Sequence, residues 1–210
     1  MKIDTFVLGE YETNCYILRK TDISKDCLIV DIGLEPGRLI EFLRHKKLNP
    51  VAVILTHGHI DHIAGVAALR DEFPHTKVYI HRLDAKMLME AKNNLSAMMG
   101  QLFTTEPADL VVEEKSIIDE AGVKLEVIHT PGHTQGGICL YSKDDGVVFT
   151  DDALFADSVG RTDFPGGSME KLVNSIAQKL MVLPDDTIVY PGHGPATTIT
   201  HEKEHNQFLQ

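Results

Sequence analysis

The sequence predicts an α+β fold in which β-sheets pack face to face and helices cover the outside. Strand-like runs and helical patterns occur in both halves of the 210 residues. Antiparallel patterns outnumber alternating strand–helix–strand units, which favours packed sheets. No linker, low-complexity block or internal repeat interrupts the chain, so residues 1–210 read as one domain, long enough to bury a substantial core.

Taken in order, strand-like runs open the chain at 2–8, 15–19 and 27–32, the last closed by the turn signal Asp31-Ile32-Gly33. A helix is expected over 35–47, where Leu39, Ile40 and Leu43 recur at helical spacing and basic residues fill the last turn. Asn49-Pro50 ends it, and 51–55 is the continuous apolar run of a strand buried on both faces. The pattern then predicts a turn at 56–61, a helix over 62–73, a strand over 77–80, a helix over 83–92 and a loop or broken helix over 93–107. From Leu110 the pattern turns to β. Val123, Leu125 and Val127 alternate with Lys124 and Glu126, as in a strand with one wet face. Further strands are expected at 138–142, 147–150 and 186–190. Ser168 has the position of an N-cap for a helix carrying Leu172, Val173, Ile176 and Leu180, and a short polar helix starts near Thr200.

Composition narrows the class of function. Lys plus Arg number 20 and Asp plus Glu 31, a formal charge of −11 that repels phosphate backbones and anionic membranes. Apolar residues at 43% and charged residues at 24% exclude a disordered or fibrous chain. The start Met1-Lys2-Ile3-Asp4-Thr5 lacks the apolar run of a signal peptide, and no apolar stretch has the length of a membrane span. Cys15, Cys27 and Cys139 lie in strand-like segments without Cys-x-x-Cys spacing, so buried, reduced thiols are expected. A cytoplasmic protein, with neither nucleic acid nor membrane as partner, is the expectation. The outlying count is histidine, 11 in all.

Their placement carries the chemistry. Thr56-His57-Gly58-His59-Ile60-Asp61-His62 follows a buried strand and opens a helix, with four potential metal ligands crowded on one tight turn. Alternation puts His57 and His59 on the same side of an extended segment, while Asp61 and His62 turn away at the helix start. That division suits a second, adjacent metal. His133 in Thr130-Pro131-Gly132-His133, Asp152 in Thr150-Asp151-Asp152 and His193 in Tyr190-Pro191-Gly192-His193 each follow a β-run in the same way. Singly, each has a plain reading: a surface histidine, an N-cap at Asp61, or a Pro-Gly turn. Seven together at strand ends make a metal centre the better reading.

Here the chain resembles the metallo-β-lactamase superfamily, from Thr13-Asn14-Cys15-Tyr16 and Asp31-Ile32-Gly33 through His-x-His-x-Asp-His to Gly192-His193-Gly194-Pro195. The resemblance implies an αββα four-layer sandwich with two metals at one edge of its paired sheets. It assigns His57, His59 and His133 to the first metal, Asp61, His62 and His193 to the second, and Asp152 to both. Imidazoles and carboxylates of this kind suit two divalent ions, zinc first, with iron or manganese as alternatives. The implied chemistry is attack on a carbonyl by a metal-bridging hydroxide, with Asp61 or Asp152 as the catalytic acid passing a proton to the leaving group.

Within the superfamily, the chain is most similar to the compact glyoxalase II-like hydrolases of bacteria. That likeness is carried by 150–155, by Val159-Gly160-Arg161-Thr162-Asp163-Phe164-Pro165-Gly166-Gly167-Ser168 and by Asn94-Leu95-Ser96. It implies hydrolysis of a small, anionic thioester or related ester of the hydroxyacylglutathione type. His62 directly after Asp61, and Asp152 where some zinc β-lactamases place cysteine, count against β-lactam hydrolysis. His59 stands where flavodiiron relatives have glutamate. Asp151 replaces a usual glycine, where a side chain would need a negative φ. With 17 residues after His193, no room is expected for the helical glutathione-binding domain of full glyoxalase II enzymes. The alternative reading is a mononuclear-iron persulfide dioxygenase, whose members share the same motifs. An RNA-processing nuclease is disfavoured by the acidic balance, and a non-enzymatic binding protein by the complete ligand set.

The remaining residues divide by plainer arguments. Arg161 and Asp163 are expected to form an ion pair, with recognition of a substrate carboxylate by Arg161 as the alternative. Asp31, Thr56 and Thr130 are candidates to orient ligand imidazoles. His129 points away from its neighbours and is left out. His45, His75, His81, His201 and His205 are expected in solvent. Met87, Met89, Met98 and Met99 are expected in the core or at a subunit contact, and 93–105 could form a lid.

Overall fold

The structure, a computed structural model, describes all of residues 1–210, which fold as two compact units. The first comprises Met1–Val112 with Ile118–Lys124. Its elements are β1 (Lys2–Leu8), β2 (Thr13–Arg19), β3 (Asp26–Val30), α1 (Gly37–Lys46), β4 (Asn49–Leu55), α2 (Ile60–Ile63), α3 (Val66–Glu72), β5 (Lys77–His81), β6 (Leu110–Val112) and β7 (Ile117–Glu120). Strands β1 to β6 form one sheet in sequence order. β1, β2 and β3 are antiparallel neighbours, whereas β3 to β6 run parallel. The apolar run of β4 is buried from Ala52 to Leu55, as a central parallel strand requires. α1 turns Leu39 and Leu43 onto the core that contains Ile29, Val53 and Ile80. Lys47 closes that helix in the left-handed region at φ 52°, after Arg44, His45 and Lys46 at the negative end of the helix dipole.

The second unit comprises Glu113–Ile117 with Leu125–Gln210. It holds most of β8 (Val123–His129), then β9 (Ile138–Ser142), β10 (Val147–Asp151), β11 (Leu154–Phe155), β12 (Ser158–Val159), α4 (Met169–Ser175), β13 (Ile188–Pro191), β14 (Thr197–Thr198) and α5 (Ile199–His205). The order is β14-β13-β10-β9-β8 in a sheet whose sixth strand is β7; β10 and β13 are parallel, and β14 with β13, β10 with β9 and β9 with β8 are antiparallel. Ser168 does cap α4, its hydroxyl accepting from Lys171 N at 3.3 Å. A π-helical turn over Ile176–Leu180 continues that helix. Leu172, Ile176 and Leu180 pack on Val148, Val189 and Ile199. No helix of either unit is long and apolar enough to cross a membrane.

Two helices differ from expectation, both because a distant partner takes a backbone group. The helix expected over 62–73 is broken into α2 and α3: Ile32 N donates to His62 O at 3.0 Å and Gly65 N donates to Ile32 O at 2.9 Å. The helix expected over 83–92 shrinks to a 3₁₀ turn over Ala85–Met89. Its next acceptors are occupied, Met87 O by Asn94 Nδ2 at 3.0 Å and Leu88 O by Thr105 N at 2.8 Å. Segment 93–107 is a loop with one short 3₁₀ turn, Ser96–Met99.

Candidate metal centre

In the first unit, the backbone leaves β4 at Leu55 and reaches α2 through the turn 56–59, with His59 at the N-cap position in extended conformation. His57 Nε2 lies 2.9 Å from His59 Nδ1, with their rings nearly perpendicular at 89°. Imidazole nitrogens this close are either donor and acceptor or two lone pairs aimed at one cation. Asp61 Oδ2 lies 3.3 Å from His62 Nε2. The turn itself is fixed by close packing: a Cβ on Gly58 would stand 2.5 Å from Met87 Cβ, so only glycine fits.

Behind these groups lies a buried carboxylate. Asp31 accepts from Thr56 N at 2.9 Å, from Thr56 Oγ1 at 2.7 Å and from His62 Nδ1 at 3.1 Å. The last bond places the His62 proton on Nδ1 and leaves the Nε2 lone pair for a ligand. Asn94 ties the following loop to the same region. Its amide donates to Met87 O and Phe103 O, both at 3.0 Å, its Oδ1 accepts from Ser96 N, and its carbonyl accepts from Ile60 N at 2.9 Å.

The second unit brings His133, Asp152 and His193 together. His133 Nδ1 donates to Arg161 O at 2.7 Å, which turns its Nε2 toward Asp152 Oδ2 at 3.5 Å. The other carboxylate oxygen, Oδ1, lies 3.5 Å from His193 Nε2. Each oxygen of Asp152 thus faces a different imidazole. Arg161 makes two parallel bonds of 2.7 Å to Asp163 and stacks on Phe164, 4.2 Å from its ring centre. The guanidinium holds the Asp163 carboxyl down at about 2. Asp151, immediately before Asp152, is buried and sits at φ +48°, not at the negative φ expected for a side chain there.

Imidazoles and carboxylates, with the Nδ1 of His62 and of His133 each held by an acceptor, are donors that fit a divalent cation. A description of the metallo-beta-lactamase superfamily matches residues 8–193. The chain belongs to the metallo-β-lactamase superfamily. It has the α+β fold of that superfamily, whose members bind divalent metals, and it is a metallo-hydrolase by family. The hydroxyacylglutathione hydrolase GloC of Haemophilus influenzae is 35% identical over 211 residues, covering 100% of this chain and 98% of that protein. The crystal structure of BLEG-1, a B3 metallo-β-lactamase, superposes with a TM-score of 0.94 at 39% identity and full coverage of both chains. TTHA1623, solved in a di-iron-bound form, superposes with a TM-score of 0.86 at 33% identity, covering 98% of this chain and 100% of that one.

Other expected roles sort as follows. Thr130 does not orient a ligand: its hydroxyl bonds Gly137 O and Cys139 Sγ. His129 turns its ring to Gln135 O. His81 is buried, not solvated, because it ends β5, which is flanked by β4 and β6, and its Nδ1 accepts from Leu83 N at 3.3 Å. Met89, Met98 and Met99 are exposed, so of the two places expected for them the core is ruled out. All three cysteines are buried and free. The Arg161 carbonyl was missed, as a main-chain acceptor has no residue signature. Met87 packs on Gly58, a contact that no pattern near either residue announces.

Proposed function

We propose that the chain is a binuclear metallohydrolase that cleaves small thioesters of the hydroxyacylglutathione type. His57, His59 and His133 would hold one divalent cation, Asp61, His62 and His193 a second, and Asp152 both. The observation that carries this reading is Asp152, whose two oxygens each lie 3.5 Å from the Nε2 of a different histidine. That is the arrangement a bridging carboxylate needs. When bound, the cations supply an acidified water and an electrophile for the substrate carbonyl.

The chain's own residues do the rest. Asp31 and the Arg161 carbonyl take the Nδ1 protons of His62 and His133, which leaves the Nε2 lone pair of each to serve as a ligand. Asp61 and Asp152 are the carboxylates that can accept a proton and return it to the leaving thiolate. Arg161 presents an exposed, planar guanidinium held by Asp163, suited to an anionic group on the substrate. Zinc, iron and manganese all suit this nitrogen–oxygen set.

The test is elemental analysis of the purified chain, followed by assays with S-lactoylglutathione, the β-lactam nitrocefin and glutathione persulfide with oxygen uptake. About two metals per chain and thioester hydrolysis are expected. Less than about half a metal per chain after reconstitution with zinc, iron or manganese, with no hydrolysis of the thioester, would overturn the reading. Nitrocefin turnover alone would give β-lactam hydrolysis in place of thioester hydrolysis, and oxygen uptake alone would give a dioxygenase.

A further inference from the structure

Asp151 holds a place that a glycine would fill with less strain. Its φ of +48° lies in the left-handed region, which glycine enters freely and aspartate only at a modest cost. The residue is nonetheless an aspartate, and only 5% exposed. A break in strand register puts it there. β10 pairs with β13 in regular steps up to Phe149 opposite Tyr190, then Asp151 stands opposite Pro191 with Thr150 inserted. Such bulges re-aim side chains at functional edges of sheets.

Its neighbour is the second half of the argument. A Cβ built on Gly192 would lie 2.4 Å from Asp152 Oδ1 and 2.8 Å from Asp151 Oδ1. Two largely buried carboxylates therefore close over the same bare α-carbon, next to each other. Two carboxylates set side by side in this way offer paired oxygen ligands to a divalent cation.

We propose that Asp151 is a third carboxylate of the metal centre, adding its charge beside Asp152 and tightening the hold on a divalent cation. This rests on the metal reading above. The strained backbone and the bulge are then retained for the carboxylate they deliver.

The experiment uses the full chain, stripped of metal, with zinc alone as probe in competition with a chromophoric chelator. Asp151→Asn keeps the shape and removes the charge, while Asp151→Gly removes the side chain and suits the backbone. Zinc binding at least tenfold weaker in both is expected, with the melting temperature of metal-free Asp151→Gly equal to or above that of the unmodified chain. Zinc affinity within twofold of the unmodified chain in both variants would overturn the inference. So would weakened binding confined to an Asp151→Gly variant that also melts lower, because the side chain would then be structural. An unmodified chain that takes up no zinc, iron or manganese would instead bring down the metal reading itself, a distinct result.

Discussion

Replacing Asp31 by asparagine separates fold stability from metal binding. Asp31 is almost fully buried and accepts three hydrogen bonds, two from Thr56 and one from His62. Bonds to a charged acceptor contribute about 1.5–3 kcal/mol each, and an abandoned buried donor costs about 1–3 kcal/mol. Asp31→Ala breaks all three and should therefore lose about 4.5 kcal/mol of stability or more. Asparagine tolerates the left-handed φ of 53° as aspartate does. Its oxygen can still accept from Thr56 N, and the Thr56 hydroxyl can turn to accept from its amide. The stability loss should then be only about 1–2 kcal/mol. The effect on His62 is of another kind. An amide NH₂ facing Nδ1 demands an acceptor there, so the proton moves to Nε2 and the lone pair offered to a metal is lost. Zinc affinity should fall about 10–100-fold, a loss of roughly 1.4–2.7 kcal/mol. Urea denaturation of metal-free protein gives the first quantity, chelator competition the second, and the ¹⁵N shifts of the His62 ring report the tautomer. Asp31→Asn protein that binds zinc as tightly as the unmodified chain, with the His62 proton still on Nδ1, would refute the reasoning.

Other expectations follow from single contacts. Arg161→Ala should raise KM for an anionic thioester and leave kcat within about twofold; loss of its exposed pair with Asp163 should leave urea melts essentially unchanged. Burial pushes the Cys15, Cys27 and Cys139 thiols up to about 12, so iodoacetamide at pH 8 should modify none of them until the chain is unfolded. Burial and the hydrogen bond to Glu120 raise the Tyr79 phenol to about 12 from its usual 10. Because the folded pKa is the higher one, stability present below pH 10 should fall as pH rises from about 10 to 12, and Tyr79→Phe should flatten that decline in melts across the range. Gly58→Ala should lower both zinc binding and melting temperature, since its Cβ meets Met87 Cβ at 2.5 Å, whereas Gly58→Ala with Met87→Gly should recover part of each.

Much of the fold was legible because its signals are local. The apolar run ending at Leu55, the alternation from Val123 to Val127 and the Ser168 cap each state their structure within a few residues. The candidate ligands were legible for a related reason: imidazoles and carboxylates stand directly after strands, where side chains leave a sheet edge. What escaped depends on partners far along the chain. Ile32 breaks the helix after His62 by taking its carbonyl, and Asn94 with Thr105 stops the one after Met89. The hairpin of β11 and β12 has two residues a side, too few to show a period. The sign of φ at Asp151 follows from a register shift against β13, which no pattern within β10 announces.

Asn94 has a consequence for how this scaffold could be diversified. Through four hydrogen bonds it joins the loop after β5 to the first turn of α2, the helix that carries Asp61 and His62. The loop's outer stretch hangs free of that joint, with Met98 71% and Leu102 85% exposed. A library that randomises 98–102 and keeps Asn94, Ser96 and Phe103 fixed would vary what this edge presents to a ligand without moving the helix beneath it.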